Sequence, residues 1–250
     1  MARTNAGGRP RKPGPLRGQV ALVSGASRGI GLAIAQALAA EGCHLAITSR
    51  SEASANRCGQ KLERNGVQVL AMACDVRDPH SVASLCQAVQ DRFRRLDILI
   101  NNAGIAHASA DVDQLPIEAW QEVIDTNLTG AFLVAHFALP LMKKGGVIVN
   151  NLSTASRKAF VGSSAYVASK HGALGLTDTL REELRPRGIR VIALLPGATN
   201  TEIWTTLWPE APRSRMMSPT TVAAAVVNAL RLPPDGALEE LILRPAAGTL

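Results

Sequence analysis

Tyr166 and Lys170 stand four residues apart in SSAYVASKHGALGL (163–176), a stretch whose apolar residues recur at helical spacing. Four residues make about one helical turn, so phenol and ammonium leave the same face of the helix. A free tyrosine ionises at about pH 10 and is a poor acid-base group near neutrality, but a cation held beside the phenol stabilises the phenolate and lowers that value. The pair is a candidate proton donor and its activator. The plain alternative is a packed ring with a solvated lysine.

A second stretch has the residues to hold phosphate. Ser24-Gly25-Ala26-Ser27-Arg28-Gly29-Ile30-Gly31 lies between an aliphatic run and a helical pattern over 32–40. Glycines permit a tight turn and close approach of backbone to a pyrophosphate, whose charge the helix N-terminus meets. The spacing is Gly-x-x-x-Gly-x-Gly, and a merely structural turn is the alternative.

The elements that must position both stretches follow from periodicity. Short aliphatic runs at 19–24, 43–48, 67–73, 96–101, 146–152 and 189–195 alternate with helical patterns, and a last run at 239–244 follows a helix over 220–231 and the turn Pro233-Pro234-Asp235-Gly236. Strand then helix, repeated, predicts a doubly wound parallel sheet of about seven strands with helices on both faces. Ligands of such sheets sit beyond the carboxyl ends of the strands. Hydrophobic residues make up 46% of the 250, aromatics only 3%, which predicts an aliphatic core in one domain.

Arg3, Arg9, Arg11, Lys12 and Arg17 carry all but +2 of the net charge of +7, so the body is nearly neutral and nucleic acid is not an expected partner. Residues 1–17 are expected to form a disordered leader before a single catalytic domain over 18–250. No apolar run suggests a membrane span, and no secretory signal is evident. Cys43, Cys58, Cys74 and Cys86 lack metal-ligand or CxxC spacing; free thiols in a cytoplasmic protein, with neither disulfide nor metal, are expected.

Taken together, the glycine turn and the Tyr166/Lys170 pair resemble the short-chain dehydrogenase/reductase family, from about Leu16 onward. The family's usual TGxxxGxG has Ser24 in place of threonine here, which keeps the hydroxyl. Asp75, the run Asn101-Asn102-Ala103-Gly104, Asn127, Ser153 and Pro196-Gly197 stand in the family's order. The resemblance implies a Rossmann-type fold, a nicotinamide cofactor and reversible carbonyl reduction, with a homodimer or homotetramer as the assembly. Ser153 would hold the substrate oxygen, Tyr166 give the proton, Lys170 tune it and bond the ribose, and Asn127 hold a water leading to solvent.

By the same resemblance Gly25, Ser27, Arg28, Gly29, Ile30 and Gly31 would hold the pyrophosphate. Asp75 and Val76 would meet the adenine; Asn101, Asn102, Ala103 and Gly104 would run along the ribose and nicotinamide. Pro196, Gly197, Thr199 and Thr201 would border the nicotinamide, although Asp75 and Thr201 equally read as helix caps. NAD-preferring relatives end the second strand in an acid, but Ser49 and Arg50 stand here, and Arg50 with Arg28 suits the 2′-phosphate of NADP.

Trp204, Leu207, Trp208, Met216 and Met217 resemble the family's apolar lid, which implies a small hydrophobic ketone; a subunit contact is the alternative. His171 reads as helical packing, and His107 is a candidate for the pocket wall. Relatives acting on acyl carrier protein tend to end in a TGxxxxVDGG-like strand and to carry arginine at the place of Glu182, whereas this chain closes on Glu240-Leu241-Ile242-Leu243-Arg244-Pro245. Lys144 keeps one cation at a second docking place, so 3-oxoacyl reduction is the alternative activity. A cofactor-sensing regulator without catalysis is a remoter one, opposed by the intact Ser153, Tyr166 and Lys170.

Overall fold

The computed structural model describes Gly14 and residues 16–248. Seven parallel strands lie in the order β3-β2-β1-β4-β5-β6-β7. They are β1 Val20–Val23, β2 His44–Ser49, β3 Val69–Ala73, β4 Leu96–Asn101, β5 Met142–Asn151, β6 Arg190–Pro196 and β7 Glu240–Leu243. The order reverses between β1 and β4, which pair at Ala21↔Ile98 and Val23↔Ile100, and this is where a doubly wound sheet opens its crevice. β5 starts four residues earlier than expected: Met142 pairs with Leu96 before the register shifts between Leu96 and Ile98.

Alternation along the strands sends side chains to two separate cores. Ala21 and Val23 join one layer with α1 (Gly29–Ala40), α2 (Glu52–Glu63) and α8 (Pro219–Leu230). Val20 and Leu22 join the other, with α3 (Pro79–Phe93), α5 (Gly130–Ala138) and α6 (Ser164–Leu184). Local chemistry fixes the helix starts. Asp78 accepts from the His80 N–H with Pro79 in the first turn of α3, and Ser218 accepts from the Thr221 N–H before Pro219 in α8.

α4 (Ile117–Ile124), a π-helical turn at Asp125–Thr129 and α5 run on as one helix, Ile117–Leu141, of 25 residues, whose most apolar 18-residue window has a mean hydropathy of 1.2. By length and composition alone this helix would pass for a membrane span. Here the helix serves the sheet: α4 packs on α6, and α5 packs on α3 and β4. Glu118, Glu122 and Asp125 lie along it.

The expected leader lies outside the described residues, apart from Gly14, Leu16 and Arg17. Leu16 corrects its boundary: it is 2% exposed, belongs to the first core, and its carbonyl accepts from the Cys43 thiol. All four cysteines are buried and unpaired, and burial pushes the Cys43 and Cys86 thiols up to about 12. They are inert near neutrality. Leu16→Ala should cost ~2–5 kcal/mol of unfolding free energy, whereas removal of residues 1–13 should leave the urea midpoint unchanged. An insensitive Leu16→Ala variant would contradict the packing.

Candidate active site

The two chemistry-bearing stretches meet beyond the carboxyl ends of β1, β4, β5 and β6, in a cleft of about 1450 Å3. Its floor is a knot between the glycine turn and the segment after β4. Ser24 Oγ accepts from the N–H groups of Asn102 and Ala103, both at 3.0 Å. Asn102 Nδ2 donates to the carbonyls of Ser24 (2.9 Å) and Gly25 (3.0 Å). The approach is so close that a Cβ on Gly31 would lie 2.3 Å from Asn102 Nδ2 and 2.5 Å from the Gly25 oxygen. Gly25 (φ 65°) and Gly29 (φ 57°) are left-handed, which side chains resist.

That turn ends in α1, which has no acid in its first turn and no side-chain cap from Arg28. Backbone N–H groups at its N-terminus are thus left without a capping side chain of the helix's own, as a pyrophosphate site requires, with Glu202 Oε2 approaching from the segment beyond β6 near Gly29. Gly25, Ser27, Arg28, Gly29, Ile30 and Gly31 all line the cleft. The residues present fit a dinucleotide.

Across the cleft, Ser153 and Tyr166 share a side-chain hydrogen bond, and Ser153 Oγ also accepts from the Ala155 N–H at 3.1 Å. Lys170 is buried, with Nζ 5.7 Å from the Tyr166 ring centroid and donating to the Asn151 carbonyl at 3.0 Å. Burial lowers its pKa to about 8. The expected lowering at Tyr166 is overturned: burial pushes the phenol up, outweighing the Ser153 bond that pulls it down. The ammonium is committed to Asn151 rather than to the phenol.

Asn127 lies in the π-helical turn. Its Oδ1 accepts from the Ile105 N–H (2.8 Å), and its Nδ2 donates to the Ile105 carbonyl (2.9 Å) and Ser169 Oγ (3.0 Å). The carboxamide clamps the loop after β4 beside Gly104, which leaves an Oδ1 lone pair or the main chain to hold a water.

Asn101 departs from expectation. Strand alternation turns it away from the cleft, where Nδ2 donates to Asn150 Oδ1 (3.0 Å) and Asn150 in turn donates to Thr177 Oγ1 (2.9 Å). Asn102, Ala103 and Gly104 do line the cleft. Asn151, missed in the sequence, ties the halves together: its Nδ2 donates to Asn102 Oδ1 at 2.8 Å while its carbonyl takes Lys170. Its place at the end of β5, two residues before Ser153, was the available signal.

Ser49, Arg50, Asp75 and Val76 line the cleft beyond β2 and β3, the end expected to take the adenosine. Arg50 Nη1 is 3.7 Å from Glu122, with both side chains about half exposed. Asp75 is no helix cap. It is gripped by Arg77 at 2.6 Å, and that bond holds its carboxyl below the usual range. Arg77, also missed in the sequence, brings a further cation there.

Pro196, Gly197, Thr199 and Thr201 border the other half of the cleft. Thr201 packs toward Gly29 and caps nothing, because Ile203 occupies the cap position of α7 (Trp204–Leu207). Trp204, Leu207 and Trp208 line the cleft, and Trp204 Nε1 donates to the Thr199 carbonyl at 2.9 Å. Met217 is not lid but core: it pairs with Thr199 and closes the base of the loop. His107 is buried away from the cleft wall, and His171 bonds the Val167 carbonyl within α6.

Residues 19–212 match the family model for short chain dehydrogenases. The putative ketoacyl reductase of the monensin polyketide synthase from Streptomyces virginiae is 40% identical over 187 residues, 73% of this chain and 71% of that one. A 3-oxoacyl-[acyl-carrier-protein] reductase from Synechocystis is 37% identical over 219 residues, 84% and 88% of the two chains. The alcohol dehydrogenase of the archaeon Thermococcus sibiricus, solved with 5-hydroxy-NADP, superposes with a TM-score of 0.86 at 32% identity, covering 93% and 98%. The chain belongs to the short-chain dehydrogenase/reductase family of oxidoreductases.

Tyr166 is the chain's only tyrosine, so phenolate absorbance reports on it alone. Burial disfavours the charged form, and the cofactor-free protein should therefore titrate above the ordinary value of 10. A midpoint below 10 would restore the activated phenolate.

Proposed function

We propose that the protein is an NADPH-dependent ketone reductase, reversible as an alcohol dehydrogenase, acting on a hydrophobic ketone or aldehyde. The observation that carries this reading is the convergence of Ser153, Tyr166 and Lys170 on the half of the cleft walled by Trp204, Leu207 and Trp208. The cleft exceeds the ~300–1,000 Å3 typical of one small-ligand site, which suits a dinucleotide beside a substrate.

When bound, NADPH supplies the hydride. Ser153 orients the carbonyl oxygen through a hydroxyl already bonded to Tyr166, and Tyr166 gives the proton as charge develops there. A phenol held protonated is ready for that direction. Lys170 returns the proton to Tyr166 from a water at Asn127, and its pKa of about 8 suits a donor near neutrality. The apolar lid excludes bulk water from the transfer.

The choice of NADP rests on charge. No acid stands at the end of β2, and Arg50 and Arg28 line that end of the cleft. The exposed Arg50–Glu122 pair is worth at most ~1 kcal/mol, so a dianionic phosphate displaces it readily. The Thermococcus sibiricus relative was solved with an NADP derivative.

Reduction of 3-oxoacyl groups on a carrier protein is the second reading. The departure at Glu182, where such reductases carry arginine, weighs less because Arg185 pairs with it at 2.7 Å with Arg181 and Arg187 nearby in the chain. The ketoacyl and 3-oxoacyl reductases among its relatives favour the same reading. A homo-oligomer fits either activity, since Ile117, 79% exposed, and the exposed Trp120 and Phe132 lie on one continuous helix. Buried unpaired thiols suit a cytoplasmic location.

Tyr166→Phe should lower turnover ~10²–10⁴-fold with cofactor still bound, as NADPH fluorescence would report. Near-normal turnover would end the mechanism. Arg50→Ala should raise the KM for NADPH ~10–100-fold and barely move that for NADH; equal effects would make Arg50 a surface residue. Free apolar ketones should turn over usefully, with Trp204→Ala acting mainly on KM. A large gain from attaching a 3-oxoacyl group to carrier protein, lost at high salt, would instead select the second reading.

A further inference from the structure

The charges lining the cleft are sorted by position. Three carboxylate residues line it, Asp75, Glu122 and Glu202. The first two stand at the adenosine end. Glu202 belongs with the glycine turn: its Oε2 lies 3.7 Å from where a Cβ on Gly29 would be. Apart from Arg28 and Arg50, the cations that line the cleft are Arg157, Lys158 and Arg244 together with the catalytic Lys170.

These rim cations are not equivalent. Arg157 is ion-paired with Glu240 at the start of β7. Lys158 and Arg244 form no ion pair among the described residues. Lys158 Nζ lies 5.6 Å from the Phe160 ring centroid, so its charge rides on the apolar wall. Arg244 follows β7, with its Cα 3.6 Å from the Cβ position of Gly197, which places it beside the β6 turn. Between these cations and Trp204, Leu207 and Trp208, the substrate half combines apolar walls with a cationic rim.

We propose that the preferred substrate is an amphiphilic ketone bearing an oxyanion, a carboxylate or a phosphate, and that Lys158 and Arg244 bind this anion while the hydrophobic body lies against the lid. The inference rests on the ketone-reductase reading and names its substrate class. A neutral ketone leaves both cations without a counter-charge. An anion at the rim meets a cation without an ion pair and needs no burial, because both side chains are exposed. The carbonyl meets Ser153 and Tyr166 as before, so the same hydride and proton additions yield the hydroxy acid or hydroxy phosphate.

The test uses the full chain with NADPH and methyl-ketone carboxylates of increasing length, from levulinate upward, each against its own methyl ester. A second arm compares acetoacetyl-pantetheine with its 4′-phosphate, which separates a free carboxylate from the phosphate of a thioester arm. At one chain length at least, or in the phosphate pair, the anion should raise kcat/KM on the order of tenfold, mainly through KM. The preference should shrink at high salt. The Lys158→Gln, Arg244→Gln double variant should bring the anion-to-neutral ratio towards one, and Arg244→Lys should retain most of it. Equal efficiencies in every pair, or a ratio that survives the double variant, would overturn the proposal. Failure of the ketone-reductase reading is seen separately, as no turnover of either member of any pair.

Discussion

The close approach of the glycine turn to Asn102 and Ala103 is the constraint on which the site depends. Position 31 admits no Cβ because Asn102 Nδ2 and the Gly25 carbonyl occupy its space, and Gly25 itself would press on Ala103. The contact holds β1 and β4 together beyond their last ladder bonds, at the point where strand order reverses. It also spends the polar groups there on one another, through Ser24 Oγ and Asn102 Nδ2. Asn151 carries the same network across β5 to Lys170. Cofactor cradle and acid-base pair are thereby set on one rigid frame, as productive geometry requires.

Electrostatics in that frame run against simple intuition about a neighbouring cation. Four residues of helical spacing do place Lys170 on the side of Tyr166, yet burial acts on both groups at once and disfavours each charged form. The result is a phenol held protonated and an ammonium brought near neutrality. For the proposed ketone reduction this is the useful starting state, because there Tyr166 would give a proton and Lys170 would replace it.

Much of this was legible in the sequence. Periodicity located all seven strands, because buried parallel strands are written as short continuous aliphatic runs. The ends were less so: α1 begins inside the glycine turn at Gly29, and β5 extends back to Met142 through a pairing with Leu96 that no local pattern marks. Side-chain direction failed where one residue decides a face. Asn101 and Asn102 are alike in type, and only strand register sends the first to Asn150 and the second to the cleft. Met217 looked like lid because it is apolar and adjacent to Met216, yet its backbone pairing with Thr199 turns it into the core. Charged partners such as Arg77 on Asp75 and Arg185 on Glu182 were invisible for the same reason: ion pairs follow from where side chains reach.

The lid shows how one frame can serve varied substrates. Its base is fixed by the main-chain bonds of Asn200 and Met217, by Trp204 Nε1 on the Thr199 carbonyl and by Arg213 Nη1 on the Thr201 carbonyl at 2.6 Å. Its crown is not: Trp208 is 45% exposed, and α7 is a single turn. Loops with few buried contacts open at low free-energy cost, whereas the Asn102–Asn151–Lys170 network lies among buried strands. On the proposed function, chemistry rests with the rigid part and selection with the part that gives, so the residues on the crown and rim could differ without disturbing Ser153, Tyr166 or Lys170. That division would account for one fold being shared with relatives named both as an alcohol dehydrogenase and as a ketoacyl reductase.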